Sequence, residues 1–152
     1  MFQEMKNRIK EDDTSVPYYY NEYWYMRKYE KGKDYPIYLR KYKSLDADEE
    51  LLVDVNKLAE GYSYFQLRGI SISPDNKKMA YAVDTLSRRI YTIKIKNLET
   101  GEMYNEQIRN TTGGSTWAND NKTLFYSSRE DVTLRVNTVS YTHLRAHETL
   151  EN

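Results

Sequence analysis

No cysteine occurs in the 152 residues. Disulfides, thiolate metal sites and a cysteine nucleophile are thereby excluded together, and the composition fits a reducing compartment. A cytoplasmic location is expected, with the periplasm left open. Long apolar runs are missing as well. The opening "MFQEMKNRIKEDD" lacks the apolar core of about seven or more residues that a signal peptide needs. Nothing later approaches the run of about eighteen that a spanning helix needs, so no membrane partner is expected. Charge of one sign is also absent. Lysine plus arginine and aspartate plus glutamate number 23 each, so no global field favours nucleic acid or a membrane surface. Without a secretion signal, the sequons at Asn110 and Asn121 read as chance.

Recognisable catalytic motifs are equally scarce. There is no G-x-S-x-G pentapeptide, no glycine-rich phosphate loop, no calcium loop, and no Cys or His cluster before residue 143. "TGGST" (Thr112 to Thr116) is the nearest approach to a nucleophile turn, but both glycines precede Ser115, and a loop between strands explains them. The carboxylates Asp12-Asp13, Asp46, Asp48 and Glu49-Glu50 read as solvated surface charge rather than paired acids. No catalytic, cofactor-binding or metal-ligating residue is predicted.

What the sequence has is tyrosine. Sixteen of them, with two Trp and three Phe, suit pleated, half-buried strands. Phe2, Met5 and Ile9 fall at helical spacing, so residues 1–16 read as a short leader helix followed by a turn at "EDDTSVP". From residue 17 short aromatic and β-branched runs alternate with turn residues. Strands are predicted at Tyr23 to Lys28, Pro36 to Tyr42, Glu50 to Asp54, Gly69 to Ser73, Lys78 to Asp84, Arg89 to Lys96, Ser115 to Ala118 and Thr123 to Ser127. One helical turn, capped by Asp54 and ended by Gly61, interrupts them.

The chain also repeats itself. "IYLRKYKSL" (Ile37 to Leu45) aligns with "IYTIKIKNL" (Ile90 to Leu98) at an offset of 53, and "SPDNKKMAY" (Ser73 to Tyr81) aligns with "ANDNKTLFY" (Ala118 to Tyr126) at an offset of 45. Repeats of about 40 to 50 residues built from short strands point to propeller blades. The predicted class is therefore all-β, an incomplete β-propeller of about two to three blades over residues 17–136. An ordinary β-sandwich is the alternative. In "RIYTIKIK", Tyr91, Ile93 and Ile95 should share one face, and Thr92, Lys94 and Lys96 the other.

Several runs resemble one family. "IKEDDTSVPYYYNEYWYMRKYEKGKDYPIYLRK", "LLVDVNKLAEGYSYFQLRGISISPDNKKMAYAVDT", "RRIYTIKIKNLETGE" and "WANDNKTLFYSSREDVTLR" are similar to the amino-terminal region of the oligopeptidase B branch of the prolyl oligopeptidase family, from about Met1 to Arg135. The resemblance implies a serine-type endopeptidase that hydrolyses short peptides after basic residues. In that family a seven-bladed propeller caps an α/β-hydrolase domain and restricts substrate access. This chain would be the first blades only, an inactive fragment whose partners are the missing catalytic domain and short peptide substrates.

Two features stand outside that reading. Between Tyr23 and Lys43 lie seven basic residues against two acidic ones, interleaved with Trp24 and six tyrosines. A stand-alone β-rich module could use this 23–43 strip to bind single-stranded nucleic acid, by stacking and phosphate contacts. The alternative is that the rings pack between blades while Lys and Arg stems cover the outer face, and no nucleic-acid partner is expected. The tail, "VSYTHLRAHETLEN", holds both histidines, His143 and His147, four residues apart. On a helix they would share a face, yet the motif is not H-E-x-x-H and has no cysteine to complete a closed site. The string resembles translated sequencing-adapter DNA, so residues 137–152 are expected to be an unstructured, non-native tail.

Overall fold

The computed structural model describes residues 2–7, 13–129 and 136–141. The chain divides into two compact units, Met1–Gly61 and Tyr62–Asn152. Among the described residues no helix is long and apolar enough to cross a membrane.

The first unit begins with helix α1 (Phe2–Asn7), shorter than the predicted leader helix; Ile9 lies outside the described residues. Five strands follow: β1 (Asp13–Thr14), β2 (Tyr18–Tyr20), β3 (Tyr23–Tyr29), β4 (Ile37–Tyr42) and β5 (Glu50–Asp54). β1 and β2 pair antiparallel with successive parts of β3, whose other edge pairs with β4, and β4 pairs with β5. Asn21 and Glu22 join β2 to β3 with φ of 48° and 73°. Two consecutive left-handed residues match the twist of a tight hairpin. Met26 sits opposite Leu39, and with Ile37 they form a small buried cluster against which Trp24 packs.

Helix α2 (Val55–Leu58) is the predicted single turn. The Asp54 carboxylate accepts the Asn56 N–H at 3.0 Å, which satisfies one of the free N–H groups of a helix start. Asn56 in turn brackets the Tyr35 backbone, accepting its N–H at 3.0 Å and donating to its carbonyl at 2.8 Å. A single turn cannot hold itself together, and these bonds fasten it to the chain before β4.

The second unit is an antiparallel meander: β6 (Gln66–Ile72), β7 (Lys78–Asp84), β8 (Tyr91–Asn97), β9 (Met103–Trp117), β10 (Leu124–Arg129) and β11 (Val136–Tyr141), each paired with the next. The predicted alternation in β8 is observed, with Tyr91, Ile93 and Ile95 buried and Thr92, Lys94 and Lys96 half-buried. With Ala80, Ala82, Ile108, Trp117 and Leu124, the buried face of β8 makes the main core. Burying such side chains contributes about 1.5–3 kcal/mol each.

β9 departs most from expectation. The predicted strand Ser115 to Ala118 is only the end of a 15-residue strand, and Thr112 to Thr116, read from sequence as a loop, lies within it. Its first part pairs with β8 and its second with β10, and Thr111 is the changeover, opposite both Tyr91 and Ser128. The Thr111 hydroxyl donates to the Tyr91 carbonyl at 2.9 Å and accepts the Gly113 N–H at 3.2 Å. Left-handed backbone at Asn110 (φ 58°) and Gly113 (φ 96°) turns the strand between its two partners. β6, β7, β8 and the first part of β9 thus form one four-stranded blade, and the second part of β9, β10 and β11 begin the next.

β11 corrects part of the expectation of an unstructured tail over residues 137–152, since residues 137–141 lie in a strand whose backbone pairs with β10. Val136–Tyr141 pairs antiparallel with β10, from Arg129↔Val136 to Leu124↔Tyr141. Residues 142–152, including His143 and His147, lie outside the described residues.

Candidate functional site

The two repeated turns are the first place where separate parts of the second unit meet. In the β6–β7 turn, Asp75 accepts from the Ser73 hydroxyl at 2.6 Å and the Lys77 N–H at 3.1 Å, with Asn76 at φ 63°. In the β9–β10 turn, Asp120 accepts from the Lys122 and Thr123 N–H groups at 2.9 and 2.8 Å, with Asn121 at φ 60°. Each Asp folds the turn onto its side chain, and the following Asn tolerates left-handed backbone. The turns also join each other: the Asp75 N–H donates to Asn121 Oδ1 at 2.8 Å, and the Lys78 ammonium donates to the Asn121 carbonyl at 2.8 Å.

Above these turns the two blades press together through glycine. A Cβ placed on Gly69 would stand 1.9 Å from the Gly113 carbonyl oxygen, so only glycine admits this approach. The Trp117 indole N–H donates to the Ser71 carbonyl at 3.0 Å across the same seam.

The aromatic and basic strip at 23–43 is internally committed. Arg40 is buried and binds Glu50 through two bonds, Nε at 2.9 Å and Nη2 at 2.8 Å, while its guanidinium lies 3.9 Å from the centre of the Tyr23 ring. Burial alone would lower the Arg40 pKa, but the hydrogen bonds to Glu50 and the attraction of its charge outweigh it and hold the group above its ordinary value. Lys33 pairs with Glu30 at 2.7 Å, and Lys41 donates to the Leu45 carbonyl at 2.9 Å. Tyr18 stacks on Tyr25, and Tyr23 tilts against Tyr42. Arg40, Lys33 and Lys41 thus each engage a neighbour within the first unit, while the buried Tyr25 hydroxyl has no hydrogen-bond partner among the described residues.

The other residues singled out by sequence are scattered. Asp13 is exposed in β1, Asp46, Asp48 and Glu49 are exposed between β4 and β5, and Asp12 lies outside the described residues. Ser115 is a strand residue opposite Tyr126, not a residue on a strand-to-helix turn. Among the described residues no group of three or more His, Asp or Glu is placed to hold a metal ion.

Sequence reasoning missed an open groove of about 700 Å³ in the second unit, beside the β7–β8 loop. Val83, Leu86 and Ile90 supply its apolar surface, and Arg88, Lys94 and Arg109 its charge. The loop is built on buried Asp84, whose two oxygens accept the Leu86 and Arg89 N–H groups, each at 2.9 Å. Lys94 was visible in the sequence on the polar face of its strand, but its convergence with Arg88 and Arg109 depends on the β7–β8 loop and on the pairing of β8 with β9.

A four-stranded antiparallel unit, joined by a shared long strand to the start of the next and pressed against it at glycine, defines a segment of a β-propeller. The chain belongs to the family described as prolyl oligopeptidase, N-terminal beta-propeller domain, which matches residues 1–149. It is similar to dipeptidyl aminopeptidase BI of Pseudoxanthomonas mexicana, 37% identical over 149 residues that cover 88% of this chain and 21% of the relative. Protease 2 of Moraxella lacunata is 29% identical over 86% of this chain and 20% of its own length. The structure of oligopeptidase B from Leishmania major superposes with a TM-score of 0.84 at 31% identity, over 93% of this chain and 20% of that one. The chain spans about a fifth of the length of these relatives.

Proposed function

We propose that these blades belong to a serine-type endopeptidase of the oligopeptidase B kind, cutting short peptides after basic residues, and that they restrict substrate access to a catalytic domain elsewhere in a longer chain. The likeness in fold to the Leishmania major enzyme over 93% of the chain carries this reading. The 152 residues hold no G-x-S-x-G turn, so by themselves they are expected to be inactive. The absence of cysteine supports a cytoplasmic location for the parent.

A second reading has its own support, since the 37% identical relative is named a dipeptidyl aminopeptidase. The test is to read the source locus across the Arg135 codon, express the longer chain and assay amino-blocked fluorogenic peptides ending in Arg, Lys or Pro beside free dipeptide substrates. Cleavage of the blocked Arg and Lys peptides supports the proposal. Activity only on free amino termini favours the second reading, and a stop codon directly after Asn152 would sink both, along with the expectation that the tail is foreign.

A further inference from the structure

The groove beside the β7–β8 loop is charged in a way the rest of the unit does not require. Arg88, Lys94 and Arg109 line it, and no ion pair joins any of them to a carboxylate among the described residues. The acid in the lining, Asp84, has both oxygens occupied by backbone N–H groups. Against that one acid the lining sets three cations, an excess of positive charge in a chain with no net charge.

A second observation comes from the backbone. Ser87 and Arg89, on either side of Arg88, both sit in left-handed conformation, with φ of 56° and 57°. That conformation is uncommon for side chains of this kind, and Asp84 holds the loop in it. The strain has a structural result: Arg88 is presented over the same opening that Lys94 reaches from β8 and Arg109 from β9.

We propose that this groove is a binding site for an extended acidic peptide segment. Its volume suits a few residues of chain rather than a single small anion. Val83, Leu86 and Ile90 offer apolar surface to side-chain methylenes between the cations. A nucleic-acid strand fits less well, because Tyr62 is the one ring in the lining and stacking needs successive rings.

The test is fluorescence anisotropy of the 152-residue chain with a labelled heptapeptide alternating glutamate and leucine, beside its lysine counterpart. The acidic peptide should bind and the lysine peptide should not. The pair Lys94→Gln and Arg109→Gln should weaken binding about tenfold, while Lys57→Gln with Lys122→Gln, an equal change of charge away from the groove, should change it less than about twofold. Equal losses in the two pairs would mean that net charge alone attracts the peptide, as an unfolded chain would, and would overturn the site. Absence of binding would do the same. Complete displacement by millimolar inorganic phosphate, or tighter binding of a labelled oligothymidylate, would replace the peptide with a simple anion or a nucleic acid.

Discussion

Where β8 buries Ile93, the matching position of the repeat in β4 buries Arg40. Both side chains are almost inaccessible, at 0% and 3% of their surface, yet one rests among Ala82, Ile95 and Ile108 and the other is held by Glu50 and the Tyr23 ring. Two positions further on, Ile95 is buried and its counterpart Tyr42 is exposed. The repeat preserves a strand and its place in a sheet, not the material that fills the slot. The first unit sets an ion pair and a ring beside its small apolar cluster, while the larger core of the second is apolar side chains, Tyr91 and Trp117 among them.

Exchanging the fillings tests that difference. Ile93→Arg puts a guanidinium among Ala82, Ile95 and Ile108, without the two-bond acid partner and the ring face that hold Arg40, and should cost more than about 4 kcal/mol in urea unfolding, or abolish the transition. A loss below about 1 kcal/mol would show that the second unit accepts charge as readily as the first. Gly69→Ala attacks the seam, where the Gly113 backbone cannot yield and φ is +67°; a loss of about 3 kcal/mol is expected from overpacking together with backbone strain. Gly32→Ala, with open space around it, should cost clearly less.

Two further effects separate the units. Burial pushes the Tyr81 phenol in β7 up to about 12. A phenol raised in the folded state keeps its proton while the unfolded chain loses it, so its contribution is complete below about pH 10 and is lost as pH rises toward 12, amounting to about 3 kcal/mol. Tyr81→Phe should flatten that part of the stability–pH curve, and an unchanged slope would show that the phenol is not buried in solution. Smallest is Arg40→Ile, expected within about 1 kcal/mol of the parent chain, because Glu50 is 39% exposed and can turn to water. A large loss would mean that the ion pair, rather than the volume it fills, holds the first sheet together.

The strands that could be read from sequence are those whose faces alternate. β8 shows the period directly, β5 and β7 have the predicted ends, and Asp54 marked α2 because a side-chain cap is a local device. β1 and β2 escaped notice, being short, exposed and without alternation. The first part of β9 was missed because "MYNEQIRNTT" is polar, and Asn110 with Gly113 reads as a loop until both neighbouring strands are in place. The 23–43 strip was legible as rings and cations, but not the packing of the rings on one another within the sheet, nor the particular partner, Glu50, that holds buried Arg40. The groove could not be seen at all, since its three cations come from a loop and two strands.

By itself, then, the sequence determined the all-β class, the repeated blade strands and the paired Asp-Asn turns, because periodicity, turn chemistry and side-chain capping act over a few residues. It also carried the likeness that led to the family. Only the tertiary structure decided that one long strand serves two blades, that Gly69 lies under the Gly113 carbonyl, that an arginine is buried where the other repeat buries an isoleucine, and that Arg88, Lys94 and Arg109 share an opening. Each of those depends on which segments become neighbours across tens of residues, and that choice is made by the packing of the whole sheet.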